Sequence, residues 1–299
     1  MKALVTGASG FVGRHLGAYL LSVGDRVRAL DRLAAEPVDI TDADAVRRAV
    51  EAANPDVVYH LAARSHVGQS WRDGDLLQQV NVAGTANVLD ACVHANVARL
   101  VGIGSAEQYG PIDPNVLAVT EAAPMAPITP YGETKVAAEG LARAAYRDHG
   151  LAAVWVRAFN HTGPGQPPTF LVPGLATRIV EAERAGHEEV AVGNLDPVRD
   201  FTDVRDVVRA YRLLAEQGEP GEAYNVCSGQ GVAVSELAAR LIMKAARPLT
   251  LVEDPALARP VDIPRLVGSP AKLATATGWA PEYDLDRTLG DVLDWVRSG

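Results

Sequence analysis

Thr6-Gly-Ala-Ser-Gly-Phe-Val-Gly13 decides the fold. It follows a compact β-type run, Lys2–Thr6, and opens Phe11–Leu21, where Phe11, Val12, Leu16, Leu20 and Leu21 have helical spacing. Gly7, Gly10 and Gly13 therefore lie at a strand–turn–helix junction. A tight turn there needs positive φ, which glycine adopts without steric cost. The helix that follows offers unpaired N–H groups and the positive end of its dipole. A pyrophosphate can approach such a backbone closely, so the stretch reads as a dinucleotide turn, with Phe11 and Val12 beside the ligand. Glycines at this spacing also arise by chance; the strand–turn–helix setting gives them meaning.

Outward from this junction the chain alternates. Arg26–Leu30 reads as a second strand, Ala43–Ala53 as a helix and Val57–Leu61 as a third strand. Leu77–Ala95 is a long helix, Leu100–Gly104 a fourth strand, Pro130–His149 a helix and Ala153–Val156 a further strand. This order predicts an α/β fold: a Rossmann-type doubly wound parallel sheet, covered on both faces, with ligands at the carboxyl ends of its strands. After about Asn160 the pattern changes. His161–Phe170 holds three prolines and two glycines and reads as a loop. Helices are expected over Pro173–Ala185, Val204–Glu216, Ser235–Ala246 and Leu285–Arg297. Residues 1–160 thus form a cofactor-binding domain, and residues 161–299 a smaller, mainly substrate-binding α/β lobe from which later segments can return to the first sheet.

Bulk properties exclude some classes. The 299 residues are 48% hydrophobic and 22% charged, ordinary for a globular protein. A net charge of −9 argues against nucleic acid as a partner, because phosphate contact needs a basic surface. No apolar run approaches the ~18 residues of a membrane span. The N-terminus reads as a first strand rather than a signal peptide. Cys92 and Cys227 lack metal or redox spacing and are expected as buried free thiols in the cytoplasm. No metal site is expected; Asp200, Asp203 and Asp206 read as a solvated helix start.

Other residues acquire roles from their places. Asp31 ends the second strand about twenty residues past the glycines, where an acid accepts from an adenosine ribose. Arg32 follows and suits a 2′-phosphate equally, or is simply a solvated charge, so NADH and NADPH both remain open. Asp39 and Ile40 are placed against the adenine. Leu61, Ala62 and Ala63 close the third strand with little bulk. Tyr131 and Lys135 stand at i, i+4 near a helix start that Thr129 caps and Pro130 opens, so they share one face. A charged lysine there is expected to lower the tyrosine pKa from its usual ~10. Ser105, just past the fourth strand, can hold the same substrate oxygen. His60 reads as a satisfied core histidine. His161 and Trp71 divide between a site role and plain packing.

Gly7, Gly10, Gly13, Ser105, Tyr131 and Lys135 together resemble the extended short-chain dehydrogenase/reductase family, of the nucleotide-sugar-modifying type, over nearly the whole chain. The resemblance implies Tyr131 as acid/base, Lys135 as its support and a ribose contact, and Ser105 as the residue orienting the substrate. Ala62-Ala-Arg-Ser-His-Val-Gly-Gln-Ser-Trp71, Gly104-Ser-Ala-Glu-Gln-Tyr-Gly110 and Arg157-Ala-Phe-Asn-His-Thr-Gly-Pro-Gly-Gln166 are similar to the GDP-mannose-processing branch. So are Gly193 to Asp206 and Arg259-Pro-Val-Asp-Ile-Pro264. Substrate contacts are accordingly expected from Ser65, His66, Ser105, Glu107, Asn160, Arg199, Arg259 and Asp262. The two arginines suit a diphosphate; an ion pair of Arg199 with Asp200 or Asp203 is the alternative.

The resemblance implies NAD(P)H-dependent reduction of the C4 keto group of GDP-4-keto-6-deoxy-D-mannose to GDP-D-rhamnose, in a homodimer built through Leu77–Ala95 and Pro130–His149. The rivals are a 4,6-dehydratase, in which Glu107 would be a further catalytic residue, a 4-epimerase, and a cofactor-sensing module without chemistry. The short connection from Asp31 to Asp39, and a glycine turn lacking the Gln-Asp usual in those dehydratases, favour the reductase.

Overall fold

The computed structural model describes residues 1–65, 74–113, 115–257 and 263–299. Its first half runs β1 (Lys2–Thr6), α1 (Phe11–Ser22), β2 (Arg26–Leu30), α2 (Ala43–Ala53), β3 (Val57–His60), α3 (Gly74–Leu77), α4 (Gly84–His94), β4 (Arg99–Ile103), α5 (Pro130–His149) and β5 (Ala153–Ala158). Then come β6 (Asn160–Thr162), α6 (Leu171–Ala185), β7 (Glu189–Val192), β8 (Val198–Asp203), α7 (Val204–Gln217), β9 (Ala223–Val226) and β10 (Gly231–Ala233). The chain closes with α8 (Val234–Ile242), β11 (Thr250–Glu253), β12 (Arg265–Leu266), α9 (Ala271–Thr277) and α10 (Leu285–Ser298).

Alternation within the strands builds the two layers. Val5, Tyr59, Val101 and Val156 pack on one face with Leu16 and Leu20 of α1 and Val207, Tyr211 and Leu214 of α7. Their neighbours Leu4, Val58, Leu100 and Trp155 pack on the other face with Val46 and Val50 of α2, Val88 and Leu89 of α4, and Ala138 and Ala142 of α5. A strand buried on both faces reads as a continuous apolar run, as these do. The sheet order is β2-β1-β3-β4-β5-β9, all parallel. This is a Rossmann-type sheet, and β9 reaches it from far along the sequence. A separate core joins α6, α8 and α10 to Val190, Val192, Phe201 and Val232.

Several boundaries differ from the sequence expectation. The long helix is interrupted by a π-turn over Gln78–Ala83. There the buried Asn81 accepts from Arg64 N at 2.8 Å and donates to Arg64 O and to Thr134 Oγ1, both at 3.1 Å. His161 and Thr162 are not loop: β6 pairs in parallel with β8, a tertiary contact no local pattern reveals. Helix α6 starts at Leu171, because Pro173 is tolerated within a first turn, where N–H groups have no helical acceptor.

The three aspartates are a correction. They are 1%, 3% and 0% exposed, not solvated. Asp203 caps α7 by accepting from Arg205 N. Asp200 accepts from the backbone N–H groups of Ser228, Gly229 and Gly268. Asp206 accepts from Glu282 N and Tyr283 N, which tie the start of the final helix to α7. The carboxylates are drawn inward because three distant segments bring donors that nothing else satisfies. Among the described residues, no helix is long and apolar enough to cross a membrane. Asp206→Ala leaves buried amides unpaired and should lower stability by about 2–3 kcal/mol, read as a fall in thermal midpoint.

Candidate active site

One cleft of about 1150 Å³ runs along the carboxyl ends of the strands. That exceeds the roughly 300–1,000 Å³ of an ordinary small-molecule pocket, leaving room for two ligands side by side. Its lining includes Gly7, Gly10, Phe11, Val12, Gly13, Asp31, Arg32, Asp39, Ile40, Leu61, Ala62 and Ala63. Ser65, Ser105, Glu107, Tyr131, Lys135, Asn160 and Arg199 line it as well. Residues far apart in sequence thus converge on one space. His66, Trp71, Arg259 and Asp262 lie outside the described residues.

The glycine turn fits a dinucleotide. Gly7 has φ +67°, and a Cβ there would lie 2.8 Å from Ala62 N. A Cβ on Gly13 would lie 2.3 Å from Gly7 O. Gly10 precedes α1 and offers no capping side chain, so the first-turn N–H groups open on the cleft. Asp31 closes the far side, its carboxylate accepting from Ser9 N at 3.1 Å and Leu33 N at 2.8 Å. Arg32 is largely exposed and stands 3.8 Å from Asp39.

The chemical centre is built where α5 meets the end of β4. Thr129 Oγ1 accepts from Gly132 N at 3.1 Å, and Pro130 opens the helix. Gly132 lets this turn approach: a Cβ would lie 2.8 Å from Glu107 O. Tyr131 and Lys135 are 8% and 7% exposed. Lys135 Nζ donates to Ile103 O at 2.7 Å. Ser105 begins a short 3₁₀ turn, Ala106–Gln108; its Oγ accepts from Glu107 N at 3.2 Å and its hydroxyl meets Tyr131.

Burial governs the protonation of these groups, which corrects the expectation for Tyr131. Desolvation holds its hydroxyl well above the ordinary tyrosine range; the Ser105 hydrogen bond opposes this and the Glu107 charge adds to it. Burial also lowers Lys135 to about 8. The lysine ammonium lies 5.8 Å from the centre of the Tyr131 ring. Tyr131 is therefore a phenol in the resting site, carrying its proton. His60 is a core histidine, as expected: Thr6 Oγ1 and Thr85 Oγ1 each lie 2.9 Å from a ring nitrogen, and burial takes it down to about 3. His161 lines the cleft, half-buried, with Nδ1 3.0 Å from Phe159 O and its ring stacked on Phe11 at 6.3 Å.

Sequence reasoning missed other parts. Helix α6 starts at the cleft without a capping side chain, so a second set of helix N–H groups faces the cavity beside Thr169 and Phe170. Gln108, Glu139 and Arg157 form a buried network behind Ser105. The signal for Glu139 was its place four residues past Lys135, on the same helix face. Among the described residues, no group of three or more His, Cys, Asp or Glu is placed to hold a metal.

A Rossmann sheet, a glycine cradle and a Ser–Tyr–Lys centre define an NAD(P)-dependent oxidoreductase. The chain belongs to the NAD dependent epimerase/dehydratase family, whose model matches residues 3–227. It is 35% identical over 297 residues to GDP-6-deoxy-D-mannose reductase of Pseudomonas aeruginosa, covering 98% of this chain and 97% of that protein. It is 32% identical over 281 residues to GDP-6-deoxy-D-talose 4-dehydrogenase of Aggregatibacter actinomycetemcomitans, covering 93% and 92%. The structure of RMD from Pseudomonas aeruginosa complexed with NADPH matches with a TM-score of 0.91 at 34% identity, covering 100% of this chain and 99% of that one. Gly7→Ala strains the turn and crowds Ala62; NADPH affinity, read by nucleotide fluorescence, should fall by at least about tenfold.

Proposed function

We propose that the protein reduces the C4 keto group of GDP-4-keto-6-deoxy-D-mannose to the hydroxyl of GDP-D-rhamnose, using NAD(P)H. The full-length likeness to a GDP-6-deoxy-D-mannose reductase carries this reading. Residues 1–160 hold the cofactor, and residues 161–299 mainly hold the sugar nucleotide. A nicotinamide held in this cleft would supply the hydride for C4. Tyr131 then donates its phenolic proton to the oxygen at C4, which balances the reduction. Ser105 fixes that oxygen, its own Oγ held by the Glu107 N–H. Lys135, anchored on Ile103 O, presents its charge to the ribose and to Tyr131. The open N-terminus of α6 and Arg199 attract the diphosphate of the sugar nucleotide. His66, Arg259, Asp262, Ser65 and Asn160 complete the substrate contacts in this reading.

Glu107, in the same cleft, sustains a second reading as a 4,6-dehydratase. Dehydration, like 4-epimerisation, begins by removing the C4 hydroxyl proton, which needs Tyr131 as an anion. Burial keeps the Tyr131 hydroxyl protonated in the resting site, which is the form a reduction starts from. The small, exposed Ala137 and Gly140 on α5 support close approach of a second copy, hence a homodimer through α4 and α5. Two buried free cysteines support a cytoplasmic site of action.

Protein given GDP-4-keto-6-deoxy-D-mannose should consume NADPH or NADH and yield GDP-D-rhamnose. Conversion of GDP-mannose to the keto-sugar without net cofactor loss would overturn the reductase and promote Glu107 to a catalytic residue. Tyr131→Phe should cut turnover by at least about 10²-fold while NADPH binding persists; undiminished turnover would refute the role of the tyrosine. Lys135, lowered to about 8, keeps its proton below that pH and loses it above. Turnover should therefore decline above pH 8, and Lys135→Arg, which stays charged, should move that alkaline limb upward if the charge is what matters.

A further inference from the structure

Behind the chemical centre lies a chain of side chains that touches no part of the cleft. Gln108, Glu139 and Arg157 are 0%, 0% and 1% exposed. Arg157 grips Glu139 with two bonds, Nε to Oε2 at 3.0 Å and Nη2 to Oε1 at 2.7 Å. Arg143 adds a third contact to Oε1 at 2.9 Å. Glu139 Oε2 also accepts from Gln108 Nε2 at 2.7 Å. Gln108 Oε1 in turn accepts from Ser105 N at 2.9 Å. The rest of Arg157 is spoken for: Nη1 donates to Tyr109 Oη at 3.0 Å and Glu121 O at 3.1 Å.

This order of contacts has a direction. A carboxylate only accepts, so Glu139 obliges the Gln108 amide to turn its NH₂ inward. The amide oxygen then faces the Ser105 N–H. The opposite flip would set two oxygens together on one side and two donors together on the other. Gly104 leaves the room this demands, since a Cβ there would lie 2.3 Å from Gln108 Oε1. Tyr131, Lys135 and Glu139 stand at i, i+4 and i+8 on α5, and all reach the same short stretch. Tyr131 meets Ser105, Lys135 meets Ile103 O, and Glu139 meets Gln108. The Ser105 turn is thus held from its cleft side and from behind by one face of one helix.

We infer that Arg157, Glu139 and Gln108 are positioning residues that set the Ser105 hydroxyl for the reaction. The inference rests on the reductase reading, and its test separates the two. Gln108→Leu removes the amide's bonds to Ser105 N, Glu139 and Met125 Sδ while keeping the Glu139–Arg157 pair. Its kcat should fall about 10–100-fold, the scale of a small misplacement of a reacting group. KM for the keto-sugar and the Kd for NADPH should stay within about threefold, while the thermal midpoint falls as it does wherever buried polar groups lose a partner. In a Ser105→Ala background the same change should alter kcat by less than about twofold, because residues acting as one unit are not additive. Gln108→Glu, whose carboxyl can share a proton with Glu139 and still accept from Ser105 N, should restore much of the rate. If Gln108→Leu accumulates unfolded, Gln108→Met enters the same cycle.

An unchanged kcat, or an equal loss in both backgrounds, would overturn the inference. Wild-type protein inert toward the keto-sugar would instead sink the reductase reading. The same double-mutant cycle, read as turnover of GDP-mannose, then decides the inference. A loss confined to the background that keeps Ser105 would support it, and an equal or absent loss would overturn it.

Discussion

A buried ammonium on a strand-end carbonyl organises this molecule. Lys135 lies almost wholly out of solvent, and its Nζ donates a hydrogen bond to Ile103 O at 2.7 Å. Desolvating a charge is costly, so the geometry around it has little freedom. That contact presses α5 against the carboxyl end of β4. Everything chemical follows from the press: Tyr131 is brought to the Ser105 turn, and Glu139 lands where Arg157 can meet it. The helix must also start at one residue and no other. Thr129 and Pro130 see to that, and the absence of a side chain at Gly132 lets the first turn sit against Glu107 O.

The parts legible in the sequence were those with local causes. The glycine turn needed only positive φ and close approach, and it announced itself through Gly7, Gly10 and Gly13. Tyr131 and Lys135 were legible as a helical pair beneath a cap, and Ser105 as a polar residue ending an apolar strand. What escaped has causes distributed along the chain. Strand β6 forms only because β8 lies beside it; that a later segment can return to the first sheet was legible, but not that β9 is the one that does. Asp200, Asp203 and Asp206 looked like a solvated acidic start because a sequence does not show which amides will arrive from Ser228, Gly268 or Glu282. Glu139 resembled any surface glutamate of a helix for the same reason.

The tyrosine shows a different failure, one of weighting. A nearby lysine does favour the phenolate, and that is the part of the balance a sequence displays. In the folded chain both groups are desolvated, and burial acts on each against its charge. A neutral phenol beside an ammonium gains less from the pair than a phenolate would. The resting protonation of Tyr131 is thus set by how deeply the site is buried, a property of the whole cleft rather than of a pair.

The π-turn at Gln78–Ala83 carries a consequence for how this chain can change over evolutionary time. A π-turn holds one residue more than the α-helical ladder would. Removing one residue there would let the turn relax to ordinary α-helix, so the helix beyond it would keep Val88 and Leu89 on the sheet. What the deletion would abolish is the local bulge that sets Asn81 against Arg64 and Thr134. A deletion within α4 itself has no such reserve and would rotate all that follows by about 100°, turning the packed face outward. The extra residue thus serves the neighbourhood of Asn81, while the length of α4 serves the sheet.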